Sequence, residues 1–229
     1  MGSTEGGDEL PVRARDALVD LLVAGFAREG GEHGLAGAVE VVLLPAGAEV
    51  AVTSVEAAHA LERAGLIAQR RPDDGSAYVR VRPSWDEPAV RRLHTYRDVL
   101  THAPRGQGLA VRLEQARALF AKELFFEVHE LLEPAWQRAS GEARQLLQGL
   151  IQASVAWYHW GRGNRHGARV LASAATEKLG GGPDHWLGFP LAEVRRALDG
   201  WSSWWSSGAI GRPPELPFAR SSAALELRR

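Results

Sequence analysis

Residues 125–136 read FFEVHELLEPAW, and this stretch decides how the C-terminal half of the chain folds. At about 100° of rotation per residue, it forms a helix whose bulky apolar side chains share one stripe. His129 and Glu133 fall on that stripe, one helical turn apart. Because burying an unpaired carboxylate is costly, we expect both groups to point inward and to be satisfied by each other, by further polar groups or by a bound ligand.

A second long helical pattern follows in RQLLQGLIQASVAWYHW, residues 144–160. Gln148, Gln152 and His159 recur in it at spacings of four and seven residues, so they share one line along the helix. A bundle that sets this line against residues 125–136 gathers a polar network around His129 and Glu133. The supporting members of that network are Glu127, Glu130, Trp136, Gln148, Gln152 and His159. The alternative is that the glutamine line is the solvent-facing side of an amphipathic helix.

The same residues carry a family resemblance. Residues 119–168 resemble the family catalogued as domain of unknown function 309, an all-helical domain of bacteria and archaea. Its first motif is matched by Phe125, Phe126, Glu127, His129, Glu130, Glu133 and Trp136. Its second motif is matched by QGLIQASVAWYH at 148–159 and GNRHGA at 163–168. The resemblance covers roughly the last half of the chain. It implies a helical fold and a metal site at His129 and Glu133, and it implies no reaction.

A metal site can be weighed against the chemistry of its ligands. A histidine and a carboxylate one turn apart present two ligands to a divalent ion, whereas a structural zinc site has four and a catalytic one usually has three plus water. The chain has no cysteine, so every ligand is nitrogen or oxygen. The candidates for a third ligand are His159, Glu127, Glu130 and Glu142. The alternative is an internal hydrogen-bond network that holds no ion.

HELLE at residues 129–133 differs from the metalloprotease motif HExxH, because Glu133 stands where that motif has its second histidine. The sequence therefore predicts no protease. It also contains no nucleotide or organic cofactor fingerprint, no phosphate loop and no recognisable nucleophile motif, so enzymatic activity stays undecided.

Two features of local sequence predict where the C-terminal helices are interrupted. Pro134 has no backbone donor and leaves the carbonyl of Glu130 without its helical partner, which predicts a kink or an early helix end. Gly163 and Asn164 predict that one helix closes with a left-handed turn and that the Asn164 side chain caps the next. Gly167 and Ala168 are small residues that we expect at a close approach between helices.

The first half of the chain has a different pattern. Residues 12–28 predict an amphipathic helix, and AVEVVLLPAGAEVAV at 38–52 is typical of one or two strands. A capping box, Thr53-Ser54-Val55-Glu56, begins a helix that Gly65 ends. LIAQRR and AYVRVRP then flank an Asp74-Gly75 hairpin turn. This order predicts a small α+β domain resembling a winged helix.

A winged helix that binds DNA places its helix in the major groove and its ribbon against the phosphate backbone. The arginines that would contact DNA are Arg63, Arg70, Arg71, Arg80 and Arg82. Four acidic residues lie among them and oppose phosphate binding: Glu56, Glu62, Asp73 and Asp74. Winged helices also serve as protein-interaction modules, so DNA and protein both stand as partners.

Composition sets the broad class. The 229 residues are 45% hydrophobic and 24% charged, which is ordinary for a folded globular chain. A net charge of −1 gives no overall attraction to nucleic acid or to membranes. The absence of cysteine excludes disulfides and thiol catalysis. The N-terminus lacks the pattern of a signal peptide and the apolar runs are too short to cross a bilayer, so we expect a cytoplasmic protein.

The predicted architecture is mostly α, with an antiparallel helical bundle preceded by the winged-helix-like domain. Its parts are a tail at 1–9, the winged-helix-like domain at 10–103, a linker at 104–110, the bundle at 111–218 and a tail at 219–229. Near the C-terminus, Trp201, Trp204 and Trp205 form an aromatic cluster that caps the bundle or docks a second subunit of a homo-oligomer.

Three functions follow from these patterns. The first is a helical module that binds a divalent metal ion or a small ligand through His129 and Glu133. The second is a DNA-associated regulator that uses the N-terminal domain. In the third, the chain is a non-catalytic assembly protein whose internal polar network only stabilises the fold.

Overall fold

The computed structural model describes residues 12–27, 49–51, 55–65, 67, 76–78, 86–208 and 214–218. The chain divides into two compact units, Met1–Gly106 and Gln107–Arg229. Helices account for most of the described residues, which confirms the prediction of a mostly α protein. Within these ranges, no helix combines the length and apolar character needed to cross a membrane.

The N-terminal unit contains three helices and a pair of short strands among its described residues. They are α1 (Val12–Ala27), β1 (Glu49–Ala51), α2 (Val55–Ala64), β2 (Ser76–Tyr78) and α3 (Asp86–His102). The amphipathic α1 buries Leu18, Leu22 and Phe26, which recur every four residues and form one stripe. This helix packs against α2 and α3. At the end of α2, Gly65 has a left-handed φ of 72°, as a helix-closing glycine requires.

The structure does not support a winged-helix domain. The predicted ribbon joins residues 66–71 to 77–83 through a hairpin, whereas the named strands pair β1 with β2, antiparallel, with Glu49 opposite Tyr78. These strands lie on either side of α2 in the sequence and are three residues long. Within the described ranges, this pair is the strand pairing observed, and the ribbon on which the DNA-binding interpretation relied falls largely outside them.

The five arginines proposed to contact DNA stay a prediction. Four of them, Arg70, Arg71, Arg80 and Arg82, lie outside the described residues, as does the Asp74-Gly75 turn. Arg63 is described, and its guanidinium forms an ion pair of 3.0 Å with Asp20 of α1. Both side chains are more than half exposed, so this ion pair adds little stability.

The C-terminal unit is a bundle of five helices within the described residues. They are α4 (Leu109–Ala121), α5 (Phe125–Arg138), α6 (Gly141–Gly161), α7 (Arg165–Leu179) and α8 (Leu191–Ser206). The first four are joined by connections of two or three residues, so successive helices fold back antiparallel to one another. The long α6 lies between α5 and α7 and packs against both, while α8 packs mainly on α7.

Two aromatic clusters pack near the C-terminal end of α6. Phe120 packs against Phe125 and Trp157 with ring centroids about 6 Å apart, and Phe218 of the C-terminal segment joins them 6.0 Å from Phe120. At the other cluster, Trp160 of α6 lies 5.2 to 5.8 Å from the rings of the three tryptophans of α8. The tryptophans of α8 therefore pack on α6 within the chain, and the docking of a second subunit stays a prediction.

The predicted helix interruptions are partly confirmed. Asn164 caps α7 by accepting a hydrogen bond of 2.9 Å from the Gly167 amide, and Gly163 is left-handed. In contrast, α5 does not end early at Pro134 but continues to Arg138. Arg144 supports its last turn, because its guanidinium stacks 4.1 Å from the Trp136 ring centroid and donates to the Trp136 carbonyl at 2.8 Å.

The close approach between helices involves a glycine that the sequence did not single out. A Cβ built on Gly149 of α6 would lie 2.6 Å from Leu179 of α7, a side chain that is fully buried. At Gly167, in contrast, an added Cβ would meet only the Asn164 cap. The absence of a side chain at Gly149 therefore sets the spacing of α6 and α7.

We predict that Gly149→Ala destabilises the protein by about 1–3 kcal/mol, because the buried Leu179 must be displaced from a packed core. The matched control is Gly161→Ala at the end of the same helix, where an added Cβ has nothing within 4 Å. That change should be neutral or stabilise by a few tenths of a kcal/mol. Equilibrium urea unfolding measures both, and equal effects at the two positions would contradict the packing argument.

Candidate metal centre

The helix α5 presents its ionisable side chains at the edge of its buried face. The buried residues are Phe125, Glu127, Val128, Leu131 and Leu132. These residues form one face of the helix, centred near Val128 and Leu131, and His129 and Glu133 lie beside this buried face. Their side chains are 28% and 37% exposed. Both side chains therefore lie at the edge of the buried face and are partly buried, whereas the sequence predicted that they point into the apolar interior.

Two carboxylates converge on the imidazole ring of His129. Its Nδ1 lies 3.0 Å from Oε1 of Glu130, a hydrogen-bonding distance, and its Nε2 lies 3.6 Å from Oε2 of Glu133. Each residue offers one ligand atom such that the three atoms lie within 4.8 Å of one another. Gln137, one turn further along, donates to the other oxygen of Glu133 at 3.3 Å.

An aromatic side chain borders the histidine. The Phe126 ring lies 6.1 Å from the His129 ring and 5.8 Å from that of Tyr158 on α6. Phe126 therefore links the α5 site to the neighbouring helix and shields one side of the imidazole from water. The sequence motif included Phe126, but its role beside His129 was not predicted; its position three residues before the histidine was the available signal.

The electrostatics of the site favour a positive charge on the imidazole. The hydrogen bond to Glu130 raises the pKa of His129, partial burial opposes this, and the charges of Glu130 and Glu133 raise the pKa further. The net effect is a pKa above the usual value of 6.5. A neutral imidazole with its proton on Nδ1 would turn the Nε2 lone pair toward the Glu133 carboxylate, an arrangement that favours a proton or another cation between them.

The remaining residues of the predicted network do not join this cluster. His159 lies 3.1 Å from the Asn164 side-chain nitrogen, and Gln148 and Gln152 are half-buried on α6. Among the described residues, no hydrogen bond connects these three side chains to His129 or Glu133. A polar network that spans α5 and α6 therefore stays a prediction.

Of the four candidates for a third ligand, the structure places Glu130 beside His129. Glu127 is fully buried on the interior side of α5, and Glu142 is exposed at the start of α6. Trp136 and Gln152 each bury a polar atom that has no hydrogen-bond partner in the described part of the chain. These atoms are the Trp136 Nε1 and the Gln152 Oε1.

Comparisons with known proteins agree with the resemblance over part of the chain. Residues 113–171 match the model of the family described as "Domain of unknown function (DUF309)", a segment that contains α5, α6 and the cluster around His129. An uncharacterized protein of Aquifex aeolicus (strain VF5) is 30% identical over 124 residues, which are 52% of this chain and 36% of that protein. The chain thus spans about a third of the length of that relative. No solved structure matches the chain.

We predict that metal-free protein loses stability as the pH rises through the raised pKa of His129. Protonation favours the folded state, so this contribution is complete below the unfolded pKa of about 6.5 and disappears above the folded pKa. The measurement is the midpoint of urea unfolding between about pH 5.5 and 8.5 for the wild type and His129→Gln. His129→Gln should lack the pH-dependent contribution of His129 to the free energy of unfolding.

A direct check is the NMR titration of the His129 ring. We expect its midpoint to lie above 6.5 in the wild type and to fall in Glu130→Gln, which replaces the charged hydrogen-bond partner by a neutral one of the same shape. A wild-type midpoint at or below the ordinary value would contradict the described arrangement.

Proposed function

We propose that the cluster of His129, Glu130 and Glu133 binds a divalent transition-metal ion, so that the C-terminal unit is a metal-binding helical module. The observation that carries this proposal is the convergence of one imidazole and two carboxylates, with ligand atoms within 4.8 Å of one another, on a single helix. Adjacent turns of one helix hold the groups in register without a contribution from any loop.

The geometry favours a division of roles between the two carboxylates. The two ring nitrogens of His129 point in different directions, so one ion cannot bind both. Ligands at 2.0–2.2 Å from a tetrahedral ion lie about 3.4 Å apart. The 3.6 Å between Nε2 and the Glu133 oxygen is close to that spacing and too long for a good hydrogen bond. Glu133 and Nε2 are therefore the proposed direct ligands.

Glu130 then acts on the ion through the histidine. Its hydrogen bond to Nδ1 fixes the tautomer that leaves the Nε2 lone pair available and raises the basicity of the ring. The carboxylate–histidine–metal arrangement of many metalloproteins has this form. Glu130 also remains close enough to become a direct ligand after a side-chain rotation, which supplies a third donor.

The donor set selects the class of metal. Imidazole suits zinc, iron, nickel and copper, whereas magnesium prefers oxygen ligands alone. A mixed set of one nitrogen and one or two carboxylate oxygens therefore favours a first-row transition ion over Mg²⁺. It also leaves coordination positions for water or for a substrate.

The test is Zn²⁺ binding to untagged, chelator-treated protein by isothermal titration calorimetry, with Mg²⁺ in parallel. We expect saturable Zn²⁺ binding and much weaker Mg²⁺ binding. His129→Gln and Glu133→Gln should abolish the Zn²⁺ binding, because each removes a direct ligand. Glu130→Gln should weaken it by about 10–100-fold, as outer-sphere partners of metal-bound histidines do.

The matched control is His102→Gln. His102 and Asp98 form a histidine–carboxylate pair on α3, with a distance of 3.3 Å between Nδ1 and the Asp98 carboxylate. Neither His102 nor Asp98 belongs to the cluster of His129, Glu130 and Glu133. We expect Zn²⁺ binding unchanged in this variant. If His129→Gln lowers only the melting temperature while Zn²⁺ binds as in the wild type, the cluster is a structural network and the metal proposal is overturned.

A further inference from the structure

The two oxygens of the Glu133 carboxylate are engaged by different groups. Oε2 lies 3.6 Å from Nε2 of His129, and Oε1 accepts a hydrogen bond of 3.3 Å from the side-chain amide of Gln137. An ionised carboxylate only accepts hydrogen bonds, so Gln137 meets it with an N–H group. The amide therefore occupies Oε1 and leaves Oε2, beside the imidazole, for an ion.

The contact between Gln137 and Glu133 depends on the helix continuing past Pro134. Residues four apart meet on one face only where the helix is regular between them, and α5 continues through this segment. The guanidinium of Arg144 on α6 donates to the backbone carbonyl of Gln137 at 3.4 Å and to that of Trp136 at 2.8 Å. The neighbouring helix thus holds the last turn of α5, and the backbone of this turn presents the exposed Gln137 side chain to Glu133.

Given the metal site proposed above, on which this role rests, we propose that Gln137 is a positioning residue that keeps Glu133 a monodentate ligand. The site then selects small, four-coordinate ions such as Zn²⁺ over larger, six-coordinate ions such as Mn²⁺. A four-coordinate Zn²⁺ ion takes one carboxylate oxygen at about 2.1 Å, and Oε2 supplies it. Oε1 keeps its hydrogen bond with Gln137 in this state, as ligating carboxylates commonly do with their outer partners.

A larger ion uses the carboxylate differently. Hard cations with high coordination numbers bind carboxylates through one oxygen or through both. Bidentate binding by Glu133 requires Oε1 to give up the hydrogen bond from Gln137, whereas monodentate binding to Zn²⁺ does not. The general order of divalent ions already places Zn²⁺ above Mn²⁺ at a site of nitrogen and oxygen ligands. Gln137 adds to this difference through a contact that only the bidentate state loses.

The test is the substitution Gln137→Met, which keeps the length of the side chain and removes its donor. On untagged, chelator-treated protein, calorimetry measures Zn²⁺ binding, and the loss of the free-ion electron paramagnetic resonance signal measures Mn²⁺ binding. We expect the ratio of Zn²⁺ to Mn²⁺ affinity to fall by about tenfold, the lower end of outer-partner effects, because the hydrogen bond is exposed. The infrared carboxylate bands of the Mn²⁺-bound protein should change from the monodentate to the bidentate pattern, which a purely structural role of Gln137 would not cause.

The matched control is Gln145→Met. The exposed amide of Gln145 also donates a hydrogen bond of 3.3 Å, but to the backbone carbonyl of Lys178, so this variant should keep the wild-type affinity ratio. If the wild type binds Zn²⁺ and the ratio is unchanged in Gln137→Met, or falls equally in Gln145→Met, the role of Gln137 is overturned while the metal site stands. If the wild type binds no Zn²⁺, the metal site itself is overturned, and the role of Gln137 with it.

Discussion

Two carboxylates that face one imidazole create a negative potential at the ring, and this potential favours a cation there. In the C-terminal unit, Glu130 and Glu133 lie on either side of the His129 ring, at 3.0 and 3.6 Å from its two nitrogens. A proton on the imidazole provides positive charge beside the two carboxylates, and so does a metal ion bound at Nε2. The same geometry thus explains the raised pKa of His129 and the proposed metal site, and the two states exclude each other at one nitrogen.

The fold places this cluster where it is both held and reachable. The helix α5 buries Val128 and Leu131 between its neighbours, and this fixes its rotation about its own axis. His129 and its two carboxylates consequently lie at the edge of the interface, partly exposed. A fully buried cluster would pay a larger desolvation cost and would be closed to an incoming ion, whereas a fully exposed one would be screened by water. In this bundle the cluster is partly buried, which lies between these two extremes.

Local signals in the sequence predicted the helices and several of their ends. The Gly163-Asn164 pair carries its own turn and capping chemistry, so it could be assigned without knowledge of the partners. The rotation of α5 about its own axis could not be predicted in this way. His129 and Glu133 lie close to the apolar stripe, so only packing against α4 and α6 decides which face of the helix is buried. Gly149 is a further case, since its role depends on Leu179 of another helix.

The sequence also pointed to contacts that are not observed among the residues the structure describes. The spacing of Gln148, Gln152 and His159 placed them on one line, but a line on one helix says nothing about its register against the next. In the N-terminal unit, turn residues suggested a ribbon, whereas the described strands pair β1 with β2 across α2.

The most direct test of the central claim is the number of protons released when Zn²⁺ binds to metal-free protein at about pH 6. Calorimetry in buffers of different ionisation enthalpy measures that number. If a metal ion replaces the proton on His129, the wild type should release close to one proton per bound ion, and His129→Gln should show neither binding nor release. Zn²⁺ binding without proton release, or with the same release in the variant, would contradict the account.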